Sequence, residues 1–185
     1  MKKLLFINSC IRENSRTEKL AREFLAKKYE EYDIKEVVLK TLDIKPLTEN
    51  DIILRDKDIS KNCFDRYLLA RDFASADEIV IAAPFWDSSF PSLLKVYIEN
   101  ICVNNLTFSY DEKGVPKKLC KANRLVYVTT AGGFVSENPS VKIYLRELCD
   151  MFAIPKLDFY CAQGLDVFPD RADEILKNKL SEMLK

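Results

Sequence analysis

The sequence contains no histidine. That absence removes Ser-His-Asp and Cys-His catalysis, histidine metal sites and histidine acid–base chemistry. Glycine is scarce, with four in 185 residues. Neither a Gly-rich P-loop nor a GxGxxG dinucleotide turn occurs. None of the six cysteines (Cys10, Cys63, Cys102, Cys120, Cys149 and Cys161) belongs to a CxxC pair. Zinc knuckles and thioredoxin-like redox chemistry are therefore poor readings, and no metal site is expected. Several of these cysteines lie in apolar segments, where a thiol serves as a small core residue. No apolar run approaches the roughly 18 residues of a membrane span, so no membrane partner is expected. The apolar start from Met1 to Ile7 stops at Asn8 with no small-residue cleavage site, and reads as a strand rather than a signal peptide. A reducing cytoplasm is the expected compartment. Lys plus Arg and Asp plus Glu are 29 each, for a formal net charge of zero. That balance argues against duplex nucleic acid as a partner.

What the sequence does hold is core material. It is 48% hydrophobic and 11% aromatic, enough for a full core in one domain spanning residues 1–185. Strand and helix patterns alternate along it. Strands are expected at Lys2–Ile7, Ile34–Leu39, Glu78–Ala83, Arg124–Thr130 and Leu157–Cys161. Helices are expected from Ser15 to about Glu31, opened by a Ser15–Glu18 capping box, and from Ser60 to about Ala76. Further helices are expected from Pro91 to Ile101, over 139–152, and from Ala172 to Leu184. Residues 41–59 read as a loop with one helical turn. Alternation with short apolar strands argues a parallel sheet covered by helices on both faces. Five strands in so short a chain fit the flavodoxin-like α/β sandwich with strand order 2-1-3-4-5. Residues 106–116, with Phe108 and Tyr110 in alternation and a turn at Gly114, read as a β-hairpin excursion.

In such a sheet the ligand lies beyond the carboxyl ends of the strands, at the switch point. Three loops meet there: residues 8–17, 84–90 and 130–138. In the first, Ser9, Ser15 and Thr17 can donate to phosphate oxygens at a helix N-terminus, and Arg12 or Arg16 can add charge. The alternative is that Ser15 only caps the helix. In the second, Pro84, Phe85 and Trp86 place planar rings directly after a buried strand, where they suit a planar ligand or else fold back as core. The third, Thr130-Ala131-Gly132-Gly133, lets backbone amides approach a ligand closely, or is an ordinary turn. Phosphate, ring stacking and close backbone at one end of one sheet together describe a phosphorylated flat cofactor, FMN.

These residues resemble the flavodoxin-like NAD(P)H dehydrogenase (quinone) family, which includes FMN-dependent NADH-azoreductases. Ser9, Arg12, Ser15 and Thr17 are similar to its phosphate loop. The stretch from Ala83 to Ile98, with Pro91-Ser-Leu-Leu-Lys-Val-Tyr-Ile98 at its end, resembles the azoreductase segment in which Ala-Pro and four ring-contacting residues lead to Pro-x-x-Leu-Lys-x-Tyr-Ile. Thr107-Phe-Ser-Tyr110 with Gly114 resembles the family hairpin. Two positions differ from the pattern. Asp87 stands where asparagine is usual, and Phe134-Val135 stand where some azoreductases carry histidine.

The resemblance implies an oxidoreductase in which NADH or NADPH reduces FMN, departs, and is replaced by a small-molecule acceptor such as a quinone or azo compound. It implies that Phe85, Trp86, Asp87 and Ser88 flank the ring and that Thr130 to Gly133 meet its pyrimidine edge. Phe108, Tyr110 and Phe134 would line the substrate pocket, with Tyr110 the candidate proton donor. It also implies a homodimer in which Phe108 and Tyr110 cap the partner's flavin. Asp87 either turns its carboxylate to the ring, disfavouring the reduced flavin, or points outward and offers only its backbone. A different class, a flavodoxin-type electron carrier or a flavin-binding sensor, stays open at this point. The neutral charge and the hairpin argue against a carrier.

Overall fold

The computed structural model describes residues 1–185. Five parallel strands form one sheet: β1 (Lys3–Asn8), β2 (Asp33–Val38), β3 (Glu78–Ala82), β4 (Arg124–Thr130) and β5 (Lys156–Ala162). Their order is β2-β1-β3-β4-β5, as the alternation implied. Six helices connect and cover them: α1 (Arg16–Lys28), α2 (Glu49–Ser60), α3 (Leu68–Ser75), α4 (Ser92–Ile101), α5 (Ser140–Met151) and α6 (Ala172–Met183).

The central strands are buried on both faces, and their period of two divides the core. Leu5, Ile7, Ile79, Ile81, Leu125 and Tyr127 face Phe73 of α3, Leu94 and Ile98 of α4 and Leu145 of α5. Leu4, Phe6, Val80, Ala82, Val126 and Val128 face Leu20 and Phe24 of α1 and Leu176 and Leu180 of α6. Two cores, one on each side of the sheet, make the three layers.

Several expectations need correction. Residues 41–59 are not mainly loop: α2 runs for twelve residues behind a complete Thr48–Asp51 capping box. No residue of α2 is buried, so it has no apolar stripe by which periodicity could find it. The helix expected from Ser60 begins at Leu68. Ser60 ends α2, and Asn62 turns the chain in the left-handed region at φ 52°. Only half of the box at α1 forms. The Ser15 hydroxyl accepts from the Glu18 amide at 3.4 Å, while the Glu18 carboxylate turns to Arg22. The excursion at 106–116 is the expected hairpin, though a short one: the Asp111 amide donates to Val115 O at 2.9 Å and the Lys117 amide to Ser109 O at 2.8 Å across a turn at Gly114. Single bridges at Asn104–Phe108 and Tyr110–Pro116 hold it, with the Asp111 carboxylate accepting from the amides of Lys113 and Val115 at 2.8 Å each.

Candidate active-site cleft

The carboxyl ends of β1, β3, β4 and β5 open into a cleft of about 500 Å³. Its wall comprises Ile11 to Thr17, Pro84 to Trp86, Thr130 to Gly132, and Leu165 with Asp166. Ten of the expected site residues meet here, from all three loops: Arg12, Ser15, Arg16 and Thr17, then Pro84, Phe85 and Trp86, then Thr130, Ala131 and Gly132.

The first loop is a cradle of unpaired donors. No backbone amide from Ile11 to Thr17 finds an acceptor within the chain. Asn14 bends the loop at φ 56°, a conformation asparagine tolerates better than most residues. Free amides at the start of α1, with its dipole, favour an anion. Thr17 is buried, and its hydroxyl lies 2.6 Å from that of Thr130, tying the first loop to the end of β4. Ser9 is buried and off the cleft wall, and its hydroxyl has no partner. Beside it, Cys10 is buried, and burial pushes its thiol up to about 11. It carries no thiolate at neutral pH and is no nucleophile.

The second loop supplies the flat wall. The Phe85 amide donates to Thr130 O at 3.0 Å, fixing the loop to β4. Trp86 and Ser89 exchange backbone hydrogen bonds at 3.0 and 2.7 Å around a two-residue turn. Asp87 and Ser88 form that turn with φ 49° and 62°, a left-handed pair that normally recruits Asn-Gly. The Arg12 guanidinium lies 5.6 Å from the Trp86 ring centroid. The turn lifts Asp87 and Ser88 into solvent, and neither lines the cleft. Of the two readings of Asp87, the structure gives the outward one.

The third loop runs alongside the loop that follows β5. Amides of Gly164, Leu165 and Asp166 donate to the carbonyls of Gly133, Ala131 and Gly132 at 2.8, 3.2 and 3.0 Å. The Gly132 and Gly133 amides donate to nothing in the chain. Gly132 lines the cleft, whereas Gly133 and Phe134 stand outside it, with Phe134 69% exposed against the edge of Phe168.

Phe108 and Tyr110 are not in the cleft either. The excursion is pinned by Lys121 N–H to Ala74 O at 2.8 Å and by Asn123 N–H to Asp77 O at 3.3 Å. Both donors follow the excursion and both acceptors precede β3, so the chain leaves the excursion and enters β4 at the amino ends of the strands, opposite the cleft. Neither Phe108 nor Tyr110 lines the cleft of its own subunit.

Sequence reasoning missed Ile11, Glu13, Asn14, Leu165 and Asp166. The fifth loop was open to discovery, because the carboxyl end of β5 faces the same way as those of β1, β3 and β4, and Gly164 marks a turn. The Arg16–Asp166 ion pair at 2.8 Å spans 150 positions and left no local signal.

Fold and cleft define a flavodoxin-like α/β protein with an anion cradle facing an aromatic wall. A family model described as "Flavodoxin-like fold" matches residues 2–185, and the chain belongs to that family. Among its relatives is an "FMN-dependent NADH:quinone oxidoreductase" of Clostridium beijerinckii, 33% identical over 197 residues, 98% of this chain and 96% of that protein. "FMN-dependent NADH:quinone oxidoreductase 2" of Clostridium acetobutylicum is 39% identical over 118 residues, 61% of this chain. That alignment spans only 58% of the relative's length. A solved FMN-dependent NADH-azoreductase from Bacillus anthracis, in complex with FMN, superposes with a TM-score of 0.81 at 23% identity. The superposition covers 100% of this chain and 96% of the other and shows a shared fold.

Proposed function

We propose that the chain is an FMN-dependent oxidoreductase that takes electrons from NADH or NADPH and passes them to a quinone, an azo compound or a similar small acceptor. The observation that carries this reading is the meeting of three chemistries in one cleft: unpaired amides at 11–17, the Phe85–Trp86 wall, and the free Gly132 amide. The names of the curated relatives agree with it.

The residues fit the cofactor. A cleft of about 500 Å³ lies in the range of small-ligand sites. The unpaired amides of residues 11–17 at the start of α1 call for an acceptor such as a phosphate ester. Ser15, Thr17 and the amides of the loop would hold that phosphate, with Arg12 and Arg16 supplying charge. Phe85 and Trp86 would take one face of the ring, and the Gly132 amide a carbonyl-bearing edge. When bound, the flavin supplies the hydride and electron chemistry, and the protein supplies position and electrostatics. One open face admits donor and acceptor in turn, which is a ping-pong order.

The chain acts in this reading as one FMN-binding domain over residues 1–185 and as a homodimer. Tyr110 and Val115 on the excursion and Leu119 just after it are exposed, 46%, 55% and 36% respectively, and a second copy would cover them. A partner is also the only route by which Phe108 and Tyr110 reach a cleft. With no histidine, the proton for the acceptor comes from water or from the partner's Tyr110. Six free thiols suit a reducing cytoplasm.

Purified protein should carry stoichiometric FMN that NADH or NADPH bleaches within seconds, and an acceptor quinone should restore the colour. Flavin that resists both nucleotides would instead indicate a carrier or sensor. Light scattering should give twice the 21.4 kDa chain mass. A monomer at micromolar concentration refutes the dimer.

A further inference from the structure

Four charged side chains line the cleft: Arg12, Glu13, Arg16 and Asp166. Arg12 lies over the Trp86 ring, which leaves Arg16 as the cation at the first turn of α1, beside the unpaired amides. Its Nη1 is 2.8 Å from Asp166 Oδ1. Asp166 is placed by its backbone and by one ion pair. Its backbone amide donates to Gly132 O at 3.0 Å, one oxygen meets Arg16, and the other rests over the Gly132 Cα, where a Cβ would come within 2.2 Å. This is a positioned negative charge inside an anion site.

Resting on the flavin-phosphate reading above, we propose that Asp166 competes with the phosphate ester for Arg16 and so sets how tightly the cleft holds phosphorylated over unphosphorylated flavin. A guanidinium has donors for both partners only where geometry lets two anions approach it from different edges. Here the Asp166 carboxylate already occupies one edge of the guanidinium, and each partner reduces the other's hold. Asp166 acts through Arg16 and touches neither ring nor acceptor. It is a positioning residue for the phosphate.

The pair is half exposed on the arginine side and more so on the aspartate side, at 45% and 74%. Exposed ion pairs are worth about 0.2–1 kcal/mol, a factor of about 1.4 to 5 in affinity. The test is titration of flavin-stripped full-length protein with FMN and with riboflavin, followed by flavin fluorescence at low salt. Asp166→Asn should tighten FMN about two- to fivefold and leave riboflavin unchanged. Arg16→Gln should weaken FMN only. In the Arg16→Gln background, Asp166→Asn should have lost most of its effect, because the competition runs through the guanidinium. The gain should also shrink as salt rises. Three results overturn the proposal: unchanged FMN affinity, weakening of both flavins by Asp166→Asn, or additivity in the double variant. The second result would mean that the pair merely braces the cleft. Failure of both flavins to bind overturns the cofactor reading and this proposal with it.

Discussion

Adding one methyl group at Gly132 should unlatch the cleft. A Cβ there lies 2.2 Å from Asp166 Oδ2, 2.9 Å from Cγ and 3.3 Å from Cβ. The clash is mainly with the carboxylate, at the end of a side chain that is 74% exposed. The Asp166 backbone cannot retreat freely, because its amide is bonded to Gly132 O. Gly132→Ala must therefore rotate the carboxylate off the loop and break its pair with Arg16. The lost exposed pair costs up to about 1 kcal/mol. A displaced rotamer adds about 0.5–1.5 kcal/mol. The sum is about 0.5–2.5 kcal/mol, and at about 2–4 °C per kcal/mol for a chain of this length it lowers Tm by about 1–10 °C. Gly133→Ala is the control, since nothing lies within 4 Å of its Cβ and its φ is not positive. It should change stability by less than about 0.5 kcal/mol. Differential scanning fluorimetry reads both. In an Asp166→Ala background, Gly132→Ala should cost nothing further. An unchanged Tm for the single variant, or full additivity in the double, refutes the reasoning.

The buried thiols make the fold sensitive to alkali. Burial raises Cys10 to about 11 and Cys120 and Cys149 to about 12. Unfolded, each loses its proton near pH 8.5, so the folded state holds protons that the unfolded state has shed. Stability from these groups is complete below about pH 8.5 and falls as pH rises, by about 4 kcal/mol per pH unit near pH 10 if all three retain their protons. Urea denaturation from pH 7.5 to 10.5 measures this, a Cys120→Ala/Cys149→Ala variant should flatten the slope, and constant stability up to pH 10 would contradict it. Emission from Trp86, the single tryptophan, should be quenched in the flavin-loaded protein and recover on stripping. Unchanged emission would take Trp86 away from the ring. Asp87→Asn should leave the flavin midpoint potential unmoved in spectroelectrochemistry, because the side chain stands in solvent at the turn tip. A clear rise would return the carboxylate to the ring.

The sheet was legible because β1, β3 and β4 are strings of buried residues, and strands alternating with helices point to a doubly wound parallel sheet. Topology then decided which loops meet, so weak signals at Ser15, Phe85 and Gly132 reinforced one another. What stayed hidden had long-range or solvent-exposed causes. Helix α2 begins at a capping box built with Asp51 rather than glutamate. Its apolar residues Ile52, Ile53 and Leu54 are consecutive, so no face emerges. Cys63, Phe64, Tyr67 and Leu68 mimic helical spacing across a turn that Asn62 bends. The outward set of Asp87 follows from a φ that no sequence pattern with aspartate and serine advertises.

Helix α2 touches the rest of the protein mainly through polar anchors. Arg55 Nη1 donates to the carbonyls of Glu99 and Cys102 at 3.1 and 2.9 Å, and Asp58 accepts from Tyr67 at 2.9 Å. At about 0.5–1.5 kcal/mol each, such bonds sum to a few kcal/mol, below the free energy that opens the sheet. The helix is thus a separate cooperative unit. Its amides exchange with solvent by detachment of that one segment, while those of β1, β3 and β4 wait for the whole molecule to unfold. A protease that nicks residues 49–60 can leave the cleft standing.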